Sequence, residues 1–123
     1  MILKDNLYKI QSHQENKDNI VYEISLLLES DIYKAHFPNK PITPGVCIVQ
    51  IVVELLSDYL NVDCKLSLAK NIKYLQVINP IEAPNITIEL KKIMQNAKEV
   101  SLQAVVSRKE LLFTKLSLQC AKM

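Results

Sequence analysis

The sequence has one glycine among 123 residues and no tryptophan. With so little glycine, turns that need a positive φ must use other residue types, and asparagine tolerates that conformation best. The three cysteines are widely spaced and match neither a disulfide framework nor a metal site. We therefore expect turns rich in asparagine, reduced thiols and a cytoplasmic protein.

The sequence also has no large excess of positive or negative charge. Fifteen Lys and Arg residues against 13 Asp and Glu residues give a net charge of +2, which makes no electrostatic case for nucleic acid. The longest apolar run, residues 46–56, is too short for a membrane span and contains Gln50 and Glu54. The first residues lack the long apolar run of a signal peptide. Length and composition predict one globular domain over residues 1–123.

The segment HFPNKPITPGVCIVQIVVELL, residues 36–56, combines a rigid loop with a long apolar run. Three prolines within seven residues restrict the backbone of the loop that carries His36. The sequence Thr43-Pro44-Gly45 predicts a helix start, with Thr43 as the N-cap and Pro44 as the first helical residue. Gly45 would then leave the N–H groups of the first turn open to a ligand.

Residues 46–60 predict a long buried helix that ends near Leu60 and Asn61. The run is too long for a strand, and its polar residues fall three or four apart on one stripe. These are Gln50, Glu54, Ser57, Asp58 and Asn61. The helix is apolar on more sides than one sheet would cover, which predicts a partner surface.

Alternating apolar and polar residues predict strands on both sides of this helix. Two precede it, at residues 7–11 and 20–28, and a connector is expected at 62–68. Four follow it, at residues 69–78, 86–91, 100–107 and 112–120. Short turns join the last three strands, so these are antiparallel. The prediction is an α+β fold in which an antiparallel sheet wraps round one central helix.

The motif HFPxxPIxPGV at residues 36–46, followed by an apolar helix, resembles the 3-hydroxyacyl-[acyl-carrier-protein] dehydratases of the hotdog-fold superfamily. A weaker match, IKYLQVINPIE at residues 72–82, falls where that family has an aromatic residue before a Pro-Val-x-Pro-Gly-Asp turn. The resemblance implies a hotdog fold and a homodimer, with a higher oligomer or a heterodimer as alternatives. It implies no metal or redox cofactor, and an acyl carrier protein or coenzyme A thioester as partner.

The same resemblance implies roles for the residues of the motif. His36 would take the proton from C2 of the acyl thioester. Phe37, Pro44, Gly45 and Val46 would bind the substrate, with the thioester carbonyl against the N–H groups of Gly45 and Val46. Amides at a helix start stabilise the negative charge that develops on such an oxygen, and a histidine near its ordinary pKa is a suitable base.

The chain departs from the family at the acid. The family's catalytic glutamate falls on Gln50, and Glu54 stands one turn later, where these dehydratases commonly have glutamine. An amide forms hydrogen bonds but cannot give up a proton as an acid. Glu54 lies about 6 Å further along the helix axis, so it would act through a water or on a displaced substrate. We expect His36, Gln50 and Glu54 to be the catalytic residues.

Structural roles are alternatives for these side chains. Gln50 equally fits a buried amide at a subunit interface, Glu54 fits an interface or solvent-exposed residue, and His13 fits the surface.

Three functions remain open. The first is a dehydratase that forms trans-2-enoyl thioesters on acyl carrier protein. The second, motivated by Gln50, is a catalytically weak relative that binds acyl thioesters or depends on an active partner subunit. The third is a thioesterase on the same fold, with Glu54 as the acid. It ranks last because the HFPxxPxxPGV loop is typical of dehydratases.

Overall fold

Six strands pair into one antiparallel sheet, and a 16-residue helix packs on one face of it. The computed structural model describes residues 2–35 and 39–123. The sheet has the strand order β1-β2-β4-β5-β6-β3. The elements run β1 (Tyr8–Glu15), β2 (Asn19–Leu26), α1 (Asp31–Ala35), α2 (Gly45–Leu60), β3 (Cys64–Tyr74), β4 (Asn85–Gln95), β5 (Glu99–Arg108) and β6 (Leu111–Lys122).

The order of two strands, a long helix and four strands is confirmed. In β2, every second residue from Ile20 to Leu26 is buried, as its alternating pattern predicts. The same alternation holds over residues 85–91 of β4, through most of β5 and over residues 114–121 of β6, and hairpins join these three strands. The prediction for β2 was two residues too long, because Leu28 lies beyond the strand and is exposed.

Helix α2 begins one residue later than the sequence predicts. Pro44 is the N-cap in an extended conformation, and Gly45 is the first helical residue. Thr43 is therefore not the N-cap; its hydroxyl is hydrogen-bonded to the Tyr33 hydroxyl at 2.8 Å. The predicted end is confirmed, because Asn61 caps the helix in the left-handed conformation with φ of 54°.

The expectation of asparagine-rich turns is wrong in part. Positive φ angles occur at Asp5, Asn61, Lys92 and Lys109, so asparagine serves at only one of these positions. Lys92 lies where the register between β4 and β5 shifts, and Lys109 lies in the turn before β6. Both lysines adopt a conformation that costs an ordinary residue free energy.

Strand β3 was predicted wrongly at both ends. It runs over Cys64–Tyr74, so the expected connector at 62–68 is mostly strand, and residues 75–78 are not. The strand lies at an edge of the sheet and pairs with β6. Two register shifts interrupt that pairing, and nearly the whole strand is exposed. The alternation that identifies buried strands is therefore absent here.

The chain itself covers the apolar faces of α2. Eight helix side chains are buried within the described residues: Cys47, Ile48, Val49, Ile51, Val52, Val53, Leu55 and Leu56. Leu3 and Leu7, ahead of β1, belong to the same core. The helix faces thus do not provide the expected partner surface. Exposed apolar side chains lie instead at Val46 and along residues 66–77. No helix in the described part of the chain has the length and apolar content needed to cross a membrane.

Candidate functional site

Two of the predicted site residues, His36 and Phe37, lie outside the described residues. The chain on either side of them is anchored. Tyr33, in α1, and Thr43, just before α2, are both almost fully buried, and their hydroxyls are 2.8 Å apart. The Thr43 N–H also donates to the carbonyl of Ile78 at 2.9 Å. These bonds hold the two ends of the segment that carries His36 at a fixed separation.

Burial raises the pKa of the Tyr33 hydroxyl to about 12, so this hydroxyl stays neutral near pH 7. Its bond to Thr43 is therefore one between two neutral hydroxyls. The sequence indicated Thr43 as a helix cap but gave no signal for Tyr33. The short helix α1, which places Tyr33, was also not predicted.

The start of α2 opens onto an apolar cavity of about 450 Å³. Pro44 and Gly45 line one side of it, and residues 74–78 line the other. The Pro44 carbonyl accepts bonds from the N–H groups of Cys47 and Ile48. The first N–H groups of a helix have no acceptor within the helix, and those of Gly45 and Val46 occupy that position. The cavity thus combines an apolar wall with amides suited to a carbonyl oxygen.

Tyr74 lies directly over Gly45. A Cβ atom added to Gly45 would come within 2.8 Å of both Cζ and the hydroxyl oxygen of Tyr74. Only glycine permits this close approach of an aromatic ring to the helix start. Tyr74 is the aromatic residue of the second motif. It occupies the wall of the cavity next to the amides that the resemblance assigns to the thioester.

Gln50 and Glu54 face each other on α2, as their spacing predicts. The Gln50 side-chain amide donates to Oε2 of Glu54 at 2.9 Å. Glu54 also accepts the backbone N–H of Leu3 on Oε2 at 2.8 Å and that of Lys4 on Oε1 at 2.8 Å. The Tyr8 hydroxyl donates to Oε1 at 3.0 Å. Glu54 therefore joins the segment before β1 to the helix.

The contact with Glu54 also affects the pKa of the Tyr8 hydroxyl. It is fully buried, and burial together with the adjacent Glu54 carboxylate raises the pKa of its hydroxyl well above the usual value. The hydroxyl remains a donor to Glu54 throughout the physiological range. Sequence analysis did not identify Tyr8, Leu3 or Lys4, because two of these contacts use backbone amides that every residue type except proline carries.

In the described part of the chain, the cysteines and the other candidate metal ligands do not form a second site. Cys47 is buried in α2, and burial raises the pKa of its thiol. Burial and the nearby Cys64 raise the pKa of Cys120 to about 11. His13 is exposed on β1, as expected. Within residues 2–35 and 39–123, no three His, Cys, Asp or Glu side chains come together as metal ligands.

Comparison with known proteins identifies the family. The model of the ApeI-like family, described as ApeI dehydratase, matches residues 12–114. The chain belongs to the ApeI-like dehydratase family. Among the curated relatives of this family member, the FabZ 3-hydroxyacyl-[acyl-carrier-protein] dehydratase of Lactiplantibacillus plantarum is 23% identical over 107 residues. That match covers 81% of this chain and 73% of the relative. The resemblance noted in the sequence is thus confirmed.

Solved structures confirm the hotdog fold. The dehydratase heterocomplex ApeI:P from Xenorhabdus doucetiae matches with a TM-score of 0.70 at 12% identity, covering 92% of this chain and 96% of the other. A hypothetical thioesterase with coenzyme A from Streptococcus pneumoniae matches with a TM-score of 0.65 at 11% identity, covering 94% and 85%. Dehydratases and thioesterases share this architecture, so the reaction must be argued from the site.

Proposed function

We propose that this protein is a 3-hydroxyacyl-thioester dehydratase that forms trans-2-enoyl thioesters. The observation that carries the proposal is the apolar cavity at the start of α2, where amides without an acceptor inside the helix meet a wall suited to an acyl chain. Gly45 and Val46 would receive the thioester oxygen, and Pro44 and Phe37 would border the substrate. His36 would remove the C2 proton, because its loop is anchored at Thr43 beside this cavity.

Gln50 takes the place of the family's acid in this proposal. It would contact the 3-hydroxyl, with Glu54 one turn behind it and hydrogen-bonded to its amide. An amide supplies no proton, so we expect elimination to be slow. Loss of a general acid typically costs about 10²–10⁴ in rate. No metal or redox cofactor is needed for the reaction. The substrate carrier would be acyl carrier protein or coenzyme A, in the cytoplasm.

We infer that the protein acts as a homodimer through β3. Among the described residues, one side of this strand has no partner in the sheet, and Leu66, Leu68 and Tyr74 expose apolar surface along it. An exposed apolar edge strand is a ready template for pairing with another strand. A second copy related by a twofold axis would place its own β3 antiparallel to the first. In the family, the base and the helix side chains of one site then come from different subunits.

A partner-dependent subunit is the second candidate, and Gln50 favours it. Through the same β3 edge, a different dehydratase chain would supply the acid that Gln50 cannot. The thioesterase hypothesis is weaker, because the Glu54 carboxylate is engaged by four donors and is not available to activate water.

The test is turnover of a short 3-hydroxyacyl thioester, followed by mass spectrometry for the loss of water and for the release of free thiol. His36→Ala should abolish dehydration, and His13→Ala, which changes the other histidine on an exposed strand, should leave it unchanged. Gln50→Glu should raise the rate by about 10²-fold or more. Dehydration by His36→Ala at the wild-type rate would refute the proposal. Activity in Gln50→Glu alone would support the partner-dependent subunit, and thiol release would support the thioesterase.

A further inference from the structure

The cavity at the start of α2 has an exposed end and a buried end. Tyr74 and Val77 line it with side chains that are largely exposed to solvent. Thr43, Ile48 and Ile78 line it with side chains that are almost fully buried. A ligand therefore enters between the exposed side chains, and the two buried isoleucines close the opposite end of the cavity.

Along the helix axis, the cavity ends at Ile48. Among the described residues, α2 contributes only Gly45 and Ile48 to the lining. Ile51 and Val52, which follow Ile48 on the same face, are fully buried in the core and do not reach the cavity. From Gly45 to Ile48 the helix rises by about 4.5 Å, which is the length of about three to four bonds of an extended hydrocarbon chain.

Hydrogen bonds hold the walls of the cavity in place. The N–H group of Ile48 donates to the Pro44 carbonyl at 3.2 Å, and that of Thr43 donates to the Ile78 carbonyl at 2.9 Å. On the exposed side, the N–H groups of residues 75 and 76 donate to a carbonyl of β6. A closely packed core accepts extra volume only at a cost in free energy, so a chain that reaches the two isoleucines stops there.

We propose that Ile48 and Ile78 limit the length of the acyl chain, so that the site selects acyl groups of about four to six carbons. With the thioester carbonyl at the Gly45 amide, the fourth or fifth carbon of the chain reaches Ile48. A longer chain leaves part of its length in solvent between Tyr74 and Val77. The inference rests on the proposed function in one respect, because it takes acyl thioesters as the ligands of this cavity.

The experiment is calorimetric titration with saturated, non-hydrolysable acyl thioester analogues, from butyryl to dodecanoyl in steps of one carbon. Each methylene that becomes buried should tighten binding by about fourfold. In wild type this gain should continue to about six carbons and then stop, because further methylenes remain in solvent. The measured quantity is the chain length at which affinity stops rising.

Variants of the closed end should move that limit. Ile48→Ala removes about three carbons, so the limit should rise by about two to three carbons. Ile48→Val and Ile78→Val each remove about one carbon and disturb the fold little, and each should raise the limit by about one carbon. Ile51→Ala is the matched control, because it truncates the same residue type in the core one turn deeper, outside the cavity. It should leave the limit unchanged.

Three results would overturn the inference. They are affinity that rises up to dodecanoyl in wild type, a limit unchanged in Ile48→Val and Ile78→Val, and an equal shift of the limit in Ile51→Ala and Ile48→Ala. Each of these involves binding of acyl thioesters and so leaves the proposed function standing. The absence of binding by every analogue would overturn both. The expected limit in a protein that dehydrates no 3-hydroxyacyl thioester would overturn the proposed function alone.

Discussion

Replacement of Gly45 by alanine should weaken ligand binding at the site while changing the stability of the fold only slightly. The added Cβ would lie 2.8 Å from Cζ and the hydroxyl oxygen of Tyr74 and 3.0 Å from its Cε1. Ordinary contacts of a Cβ begin at 3.4 Å, so the Tyr74 ring must retreat by about 0.6 Å. These atoms are the far end of a side chain that is 53% exposed, and the ring has room to move outward.

Two small energies then oppose each other. Alanine in a helix gains about 0.5–1 kcal/mol over glycine, and less at the first helical position. The displaced Tyr74 ring exposes apolar surface on the order of 30 Å², which costs about 0.8 kcal/mol. The free energy of unfolding should therefore change by less than about 1 kcal/mol. Binding of an acyl thioester should weaken strongly, on the order of 10²-fold, because the new methyl group covers the approach to the Gly45 amide.

Urea denaturation measures the first quantity, and calorimetric titration with a thioester analogue measures the second. The matched control is Gly45→Ala combined with Tyr74→Ala, which removes the clash but keeps the methyl group. It should bind as poorly as Gly45→Ala, since the methyl group and not the ring blocks the amide. Destabilisation of Gly45→Ala by more than about 3 kcal/mol, or wild-type affinity, would refute this reasoning.

Three further predictions concern stability and assembly. Tyr33→Phe should cost about 1–2 kcal/mol at pH 7, because it leaves the buried Thr43 hydroxyl without its partner. Burial raises the pKa of Tyr33 from 10.0 to about 12, so its neutral form stabilises the fold fully below pH 10 and this contribution is lost as pH rises to about 12. Over this range wild type should therefore lose about 2–3 kcal/mol more stability than Tyr33→Phe, which denaturation of both proteins at several pH values would reveal. Leu68→Lys, on the exposed edge of β3, should shift sedimentation from dimer to monomer, whereas Met94→Lys, at an even more exposed position on β4, should not. Lys109→Gly should raise the free energy of unfolding by about 0.5–1 kcal/mol, because φ at Lys109 is 55°.

Each of these three has a result that would contradict it. Parallel pH profiles for wild type and Tyr33→Phe would mean that the Tyr33 hydroxyl does not titrate in this range. A Leu68→Lys dimer as tight as wild type would remove β3 from the interface. Destabilisation by Lys109→Gly would mean that contacts of the lysine side chain outweigh its backbone conformation.

Elements with regular burial could be predicted from the sequence. The alternation in β2, β4, β5 and β6 reflects one face against α2 and one against solvent, and that regularity identifies them. Strand β3 could not be delimited, because its register shifts and its exposed edge remove the alternation. Helix α1 was missed because its five residues are too few to form a periodic pattern.

Some contacts of the candidate site could likewise be predicted from the sequence, and others could not. The adjacency of Gln50 and Glu54 follows from helical geometry, since residues four apart share a face. The partners that Glu54 takes from Leu3 and Lys4 are 51 and 50 residues distant and use only backbone groups. The contact between Tyr74 and Gly45 is equally non-local, although the single glycine of the sequence indicated one of the two residues. Such contacts depend on tertiary packing, which local patterns do not encode.

The anchoring of Leu3 and Lys4 has a consequence for the exchange of backbone hydrogens with solvent. Residues near a chain terminus usually exchange fast because they fray. Here two such amides donate to a carboxylate on the central helix, so they exchange only when Glu54 releases them. A ligand that pulls the Gln50 amide away from Glu54 would alter that release. Protection at Leu3 and Lys4 would then report occupancy of a site that neither residue touches.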